Sequence, residues 1–245
     1  MAEVAGEMER YGLCMAALQK IRWKGQGEVK KRKFSIFYSG GEKSGQRGTG
    51  FYVSEKIRKS VLLFEPINDR ICRLRIKGKF RNITVLSVYA PTEDSDGELK
   101  NKLYDDLTRI CDRISKYDTL LILGDFNAKI GKEAFIDGVA GRCSLHDHTY
   151  DNGMRLCEFA ACQNMWISSV SFQHKDIHKQ TWKIPGERGA NQIDHALVDR
   201  RLASSVMDVR SCRGANCDSD HFLVRLRLRQ RLSTLSEGTK YRRTK

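Results

Sequence analysis

The 245-residue sequence has only three prolines, no Cys-x-x-Cys pair among its eight cysteines, and no apolar run approaching the roughly 18 residues of a membrane span. No low-complexity tract interrupts its middle, and no repeat occurs at solenoid or propeller periods. The opening Met1-Ala2-Glu3-Val4-Ala5-Gly6-Glu7 lacks the basic start and apolar core of a secretion signal. An intracellular protein with reduced thiols is therefore expected. Zinc is not: Cys212 and Cys217 are the one cysteine pair to check, and His174 and His178 share a face only in a helix. The glycine-rich stretch 39–50 lacks the P-loop spacing and gives no sign of a nucleotide site.

Positive charge is what the chain has in excess. Forty-four Lys and Arg against 30 Asp and Glu give a formal charge of +14, which favours a polyanionic partner. Nucleic acid is the first candidate and an anionic membrane surface the second. Hydrophobic residues make up 40% of the chain, enough to bury a core in one large domain.

The middle of the chain alternates strand-like and helix-like segments. Residues 60–64, 71–76 and 83–89 are β-branched or apolar runs of strand length. Leu99, Leu103, Leu107, Ile110 and Ile114 form one apolar helical stripe. Residues 119–123 read as a fully buried strand and 152–163 as a second helix, with Leu156, Phe159 and Ala160 inward. Residues 192–198 and 207–212 are again strand-like, and 222–229 alternate between apolar and basic positions. Two packed sheets covered by helices are expected. Residues 24–33 and 39–50 read as surface, and the domain is expected over 12–232, with a basic frayed tail at 233–245.

Three short segments carry chemistry. Leu123-Gly124-Asp125-Phe126-Asn127 ends the buried strand, and alternation would place Asp125 and Asn127 on one side. Asp194 sits within an apolar strand, so its carboxylate needs a histidine or cation as partner. Ser219-Asp220-His221 brings a carboxylate and an imidazole together before the last strand. Each alone has a structural reading, as a turn or a capped backbone.

In order, Leu123 to Asn127, Val88-Tyr89-Ala90-Pro91, Gln192-Ile193-Asp194 and Ser219-Asp220-His221 resemble the successive motifs of the endonuclease/exonuclease/phosphatase superfamily. Ala17-Leu18-Gln19, Ile21-Arg22-Trp23, Thr181-Trp182 and Asp194 to Arg201 are similar to one branch, the non-LTR retrotransposon endonucleases and the craniofacial development protein 2-like proteins. The resemblance implies a four-layered α/β sandwich of two facing mixed sheets flanked by helices. It also implies a magnesium ion, a DNA substrate and a monomer. Carried over by motif, Asp125 orients or deprotonates the attacking water. Asn127 and Tyr89 hold phosphate oxygens, His221 contacts the scissile phosphate with Asp194 fixing its ring, and Asp220 with Asp125 holds the metal. Lys24, Lys30, Lys31, Arg32, Trp182, Arg225 and Arg227 are the expected nucleic-acid contacts. The run Lys30-Lys31-Arg32-Lys33 reads equally as a nuclear import signal or a solvated turn.

Two departures qualify the resemblance. The family's first strand, with its Trp-Asn pair, is expected to be missing or replaced. Its metal-binding Glu, in Leu-Gln-Glu, is Lys20 here. Lysine carries donors and no acceptor, so Lys20 cannot coordinate magnesium. Its ammonium could instead sit among Asp125 and Asp220 and substitute for the cation's charge. A magnesium-dependent DNA endonuclease, active or impaired, a catalytically dead nucleic-acid-binding module and a protein-interaction module are the alternatives at this point, with a small-molecule or lipid phosphatase ranked below them because the charge favours a long polyanion.

Overall fold

The computed structural model describes residues 2–42, 45, 47–186, 189–215 and 219–230. Helix α1 (Ala2–Arg10) leads into β1 (Met15–Gln19), β2 (Gln26–Lys30), β3 (Phe34–Ser39) and β4 (Thr49–Ser54). These strands form a four-stranded sheet in the order β1-β4-β3-β2, antiparallel throughout. After the short α2 (Glu55–Arg58) come β5 (Val61–Pro66), β6 (Ile71–Ile76) and β7 (Ile83–Tyr89). Then follow α3 (Gly97–Arg113), β8 (Thr119–Asp125), α4 (Asp151–Cys162), β9 (Met165–Ile167), β10 (Trp182–Lys183), β11 (Ala190–Asn191) and β12 (Asp194–Asp199). A six-stranded sheet runs β5-β6-β7-β8-β12-β9, with β7 and β8 parallel and the other pairs antiparallel. β10 pairs with β11, and β13 (Val206–Cys212) with β14 (Leu223–Leu228).

The period-two alternation of the central strands sorts their side chains into two cores. Val85, Leu121 and Ala196 face the first sheet and pack with Phe37, Phe51 and Val53. Their neighbours Leu86, Ile122 and Leu197 face the other way, onto Leu103, Leu107, Leu156 and Ala160 of α3 and α4. Ala5 and Met8 of α1 cover Ile36 and Tyr52 on the outer face of the first sheet. The order is helix, sheet, sheet, helices, in one mixed α/β fold. The expectation of two mixed sheets is corrected in one respect: only the larger is mixed.

Most expected elements fall where the periodicity places them. Leu99 is an exception, 48% exposed at the start of α3, one turn before the stripe meets the sheet at Leu103. The stretch 24–33, expected as surface alone, contains β2, an edge strand with alternating exposure. The expected tail at 233–245 and Cys217 lie outside the described residues. The seven described cysteines are free thiols. Among the described residues no helix is long and apolar enough to cross a membrane.

Candidate active site

The site forms where β1, β7 and β8 end and β12 begins. The parallel register sets Tyr89 beside Asp125, and the antiparallel register sets Asp194 opposite Asp125. Gly124 makes this possible: a Cβ there would lie 1.9 Å from the Val88 carbonyl oxygen. Two carboxylates thus meet at the end of a buried sheet, on backbones with little freedom.

Asp125 is 1% exposed. Its Oδ1 accepts the Asn127 backbone N–H at 3.1 Å, while its buried Oδ2 receives no hydrogen bond among the described residues. Burial first, and then the charge of Asp194, push the Asp125 carboxyl up to about 6, against the pull of His221 and Lys20. Asp194 braces His221, whose Nδ1 lies 3.1 and 3.2 Å from the two carboxylate oxygens. Burial depresses the His221 pKa, but the hydrogen bond and charge of Asp194, with Asp125 behind it, outweigh burial and raise it. Thr181 anchors the strand start, its Oγ1 accepting the N–H groups of Ile193 and Asp194.

Lys20 occupies the centre. Its Nζ lies 3.3 Å from Asp125 Oδ2, 2.9 Å from His221 Nε2, and 5.4 Å from the centroid of the Tyr89 ring. In the neutral ring that carries its proton on Nδ1, Nδ1–H donates to Asp194 and the bare Nε2 accepts from the ammonium, so both imidazole nitrogens are satisfied. Lys20 has φ 55°, a left-handed backbone that costs a side-chain-bearing residue roughly 1–2 kcal/mol. The turn after β1 thus aims the ammonium into the carboxylates.

Asp125, Asp194 and His221 each offer one donor atom, all within 4.8 Å of one another, a set that could hold a metal ion. These residues do not fit magnesium as they stand. The ion wants oxygen ligands in octahedral geometry, and here the third donor is an imidazole nitrogen and the ammonium shares the space. Asp220, expected as a metal ligand, stands outside this group. Its Oδ2 accepts the Trp182 indole N–H at 2.8 Å. Burial raises the Asp220 pKa, but that bond and the charges of His221 and Lys20 outweigh it and hold the carboxyl low.

Other expected site residues separate into near and far. Trp182 is near, its ring 6.4 Å from His221. Asn127 is near but not as alternation implied: β8 ends at Asp125, Asn127 turns to φ 47°, and its Nδ2 donates to the Ala90 carbonyl at 2.9 Å. Arg225 and Arg227 lie along β14, which begins two residues after His221 and leads away. Lys24 precedes β2 at the site end of its sheet. Lys30, Lys31 and Arg32 stand at the opposite end, because β2 runs antiparallel to β1 through two intervening strands. They are remote from the carboxylates.

Two arginines escaped the sequence reading. The Arg70 guanidinium lies 5.4 Å from the Tyr89 ring centroid, and its Nη1 donates to the Tyr89 carbonyl at 3.0 Å. Burial, and then Arg47, lower its pKa. Arg47 pairs with Asp69 at 3.3 Å. A motif match could not find them, because the register of β6 on β7 brings this turn to Tyr89. His195, beside Asp194, points the other way, bonded to Ser169 and Ala128 at 2.8 Å each, and serves packing.

Residues 9–221 match the family described as Endonuclease/Exonuclease/phosphatase. Craniofacial development protein 2 of Bos taurus is 32% identical over 237 residues, covering 97% of this chain and 40% of that protein. The Tragulus javanicus protein of that name is 31% identical, covering 97% and 41%. The chain thus spans about 40% of the length of the curated relatives it matches. Among solved structures, the endonuclease domain of TRAS1, a telomere-specific non-LTR retrotransposon, superposes with TM-score 0.66 at 18% identity, covering 94% of this chain and 93% of that one. The AP endonuclease LMAP of Leishmania major does so with TM-score 0.67 at 14% identity, covering 94% and 82%. At such identities these structures establish the shared fold.

Proposed function

The chain belongs to the Endonuclease/Exonuclease/phosphatase family, and on that footing we propose that it is a DNA-binding phosphodiesterase domain whose metal centre Lys20 has taken over, leaving strand cleavage weak or absent. The observation that carries this reading is the Lys20 ammonium between Asp125 Oδ2 and His221 Nε2.

The remaining residues keep a division of labour suited to phosphodiester chemistry. Asp125 could orient or deprotonate water, His221 braced by Asp194 could face a phosphoryl oxygen, and Tyr89 and Arg70 flank the same end. Asn127 is a positioning residue that ties the end of β8 to Ala90. An ammonium offsets carboxylate repulsion, but it supplies no Lewis acid. By bonding His221 Nε2, Lys20 also occupies the nitrogen that a phosphate would meet. The Arg70 guanidinium beside Tyr89, with the net +14, supports a nucleic-acid ligand. A 3' phosphatase NExo from Neisseria, of the same fold, is described bound to product DNA hairpin. Exposed Lys30–Arg32, remote from the site, are better suited to an import signal than to substrate contact.

Nicking of supercoiled plasmid in magnesium tests the proposal, comparing the unmodified chain with Lys20→Glu and Asp125→Ala. Lys20→Glu restores an oxygen donor between Asp125 and His221 and is expected to raise nicking at least tenfold. Strong nicking by the unmodified chain, abolished by Asp125→Ala, would overturn it.

A further inference from the structure

Lys20, His221 and Asp194 stand in line. The Lys20 Nζ lies 2.9 Å from His221 Nε2, and His221 Nδ1 lies 3.1 and 3.2 Å from the Asp194 carboxylate oxygens. A side chain bonded to an imidazole that a carboxylate orients is the arrangement that activates a weak nucleophile. Here the nucleophilic atom is a nitrogen. The Lys20 side chain is 30% exposed, so a ligand can reach Nζ, whereas Asp125 beside it is buried. The left-handed backbone at Lys20 and the Asp194 brace hold the two partners at hydrogen-bond distance. Neutralising the carboxylates requires neither the imidazole contact nor the exposure.

We propose that Lys20 is an imine-forming nucleophile towards the aldehyde of a deoxyribose that has lost its base, and that the site then cuts the strand by elimination. An amine bonds reversibly to an aldehyde carbon, and in DNA a sugar without its base carries that group when its ring opens. The ammonium passes a proton to His221 Nε2, and Asp194 stabilises the imidazolium that forms. The free amine adds to C1′. The new oxygen takes the spare proton of the amine and then that of His221, and leaves as water, so that an iminium remains. The iminium acidifies the C2′ hydrogens. Asp125 Oδ2, 3.3 Å from Nζ and without a hydrogen bond among the described residues, takes one of them. The electron pair left behind expels the phosphate from C3′, which breaks the strand. Water then hydrolyses the iminium, freeing an unsaturated aldehyde and restoring Lys20. No step calls for an oxidant or a metal. Access to the strand rests on the DNA-binding reading above, but elimination does not rest on hydrolysis, and intact plasmid offers no aldehyde.

The test is cyanoborohydride reduction, in EDTA, of the full chain mixed with a duplex oligonucleotide that carries one abasic site. A covalent adduct of chain and DNA is expected, with the reduced link mapped to Lys20 by peptide mass spectrometry. Without reductant, the cut strand is expected to end in the unsaturated aldehyde of elimination rather than the 3′ hydroxyl of hydrolysis. Lys20→Arg keeps a cation beside Asp125 but forms no imine, and is expected to lower the adduct yield at least about tenfold. His221→Ala is expected to slow trapping. Trapping with deoxyribose 5-phosphate and a gel shift with DNA separate this activity from the proposed function. Labelling of Lys20 by the sugar phosphate without DNA binding contradicts the DNA-binding reading and supports the inference, whereas DNA binding without labelling of Lys20 overturns the inference alone. An adduct spread over other lysines, or an equal yield from Lys20→Arg, also overturns it.

Discussion

Lys20 makes the site a test of what a fixed ammonium can replace. Asp125 is buried against Asp194, and its pKa rises from 3.8 to about 6. An acid whose folded pKa lies above its unfolded value stabilises the fold while protonated, and loses that contribution as pH rises through the folded pKa. Asp125 therefore favours folding below about pH 4 and ceases to do so above about pH 6. Asp125→Asn carries no such titration. Its melting temperature relative to the unmodified chain is expected to increase between about pH 4 and pH 7, read by thermal melts across that range; a constant difference would contradict it. The carboxylates and His221 were legible in the sequence because each falls at a strand end with a recognisable neighbour, and Lys20 was legible as a departure at a defined position. Asn127 was misplaced because alternation was carried past the end of β8. Arg70 was not legible, since its meeting with Tyr89 depends on a cross-strand register.

At the scale of elements, β8 and β7 carry the site because nothing larger than hydrogen fits between them at Gly124. Gly124→Ala places a methyl 1.9 Å from the Val88 carbonyl oxygen. The strands must separate, and a loss of roughly 1–3 kcal/mol of stability is expected by urea denaturation, as for other overpacked sites. Nicking or DNA binding that survives at full strength in such a variant would show that the Tyr89–Asp125 register is not needed. The central strands were readable because burial on two faces gives continuous apolar runs. β2 was not, because an edge strand of alternating exposure looks like a polar turn.

Across the whole molecule, charge and architecture point to a polyanion held at one end of the sandwich. Binding to duplex DNA is expected to weaken steeply with salt. Arg70→Ala is expected to weaken it and to reduce the slope of log affinity against log salt by about 1, the signature of one lost phosphate contact. Gel shifts over a salt series measure both, and an unchanged slope would remove Arg70 from the interface. Substituting Lys30 to Arg32, at the far end of the first sheet, is expected to leave that slope nearly unchanged. The central claim is that an ammonium stands where a metal would be held. It is tested most directly by anomalous scattering from crystals soaked in manganese. The unmodified chain should show no anomalous peak among Asp125, Asp194 and His221, with Lys20 Nζ in place, whereas Lys20→Glu should show one. A strong peak in the unmodified chain, with Lys20 swung aside, would contradict the account.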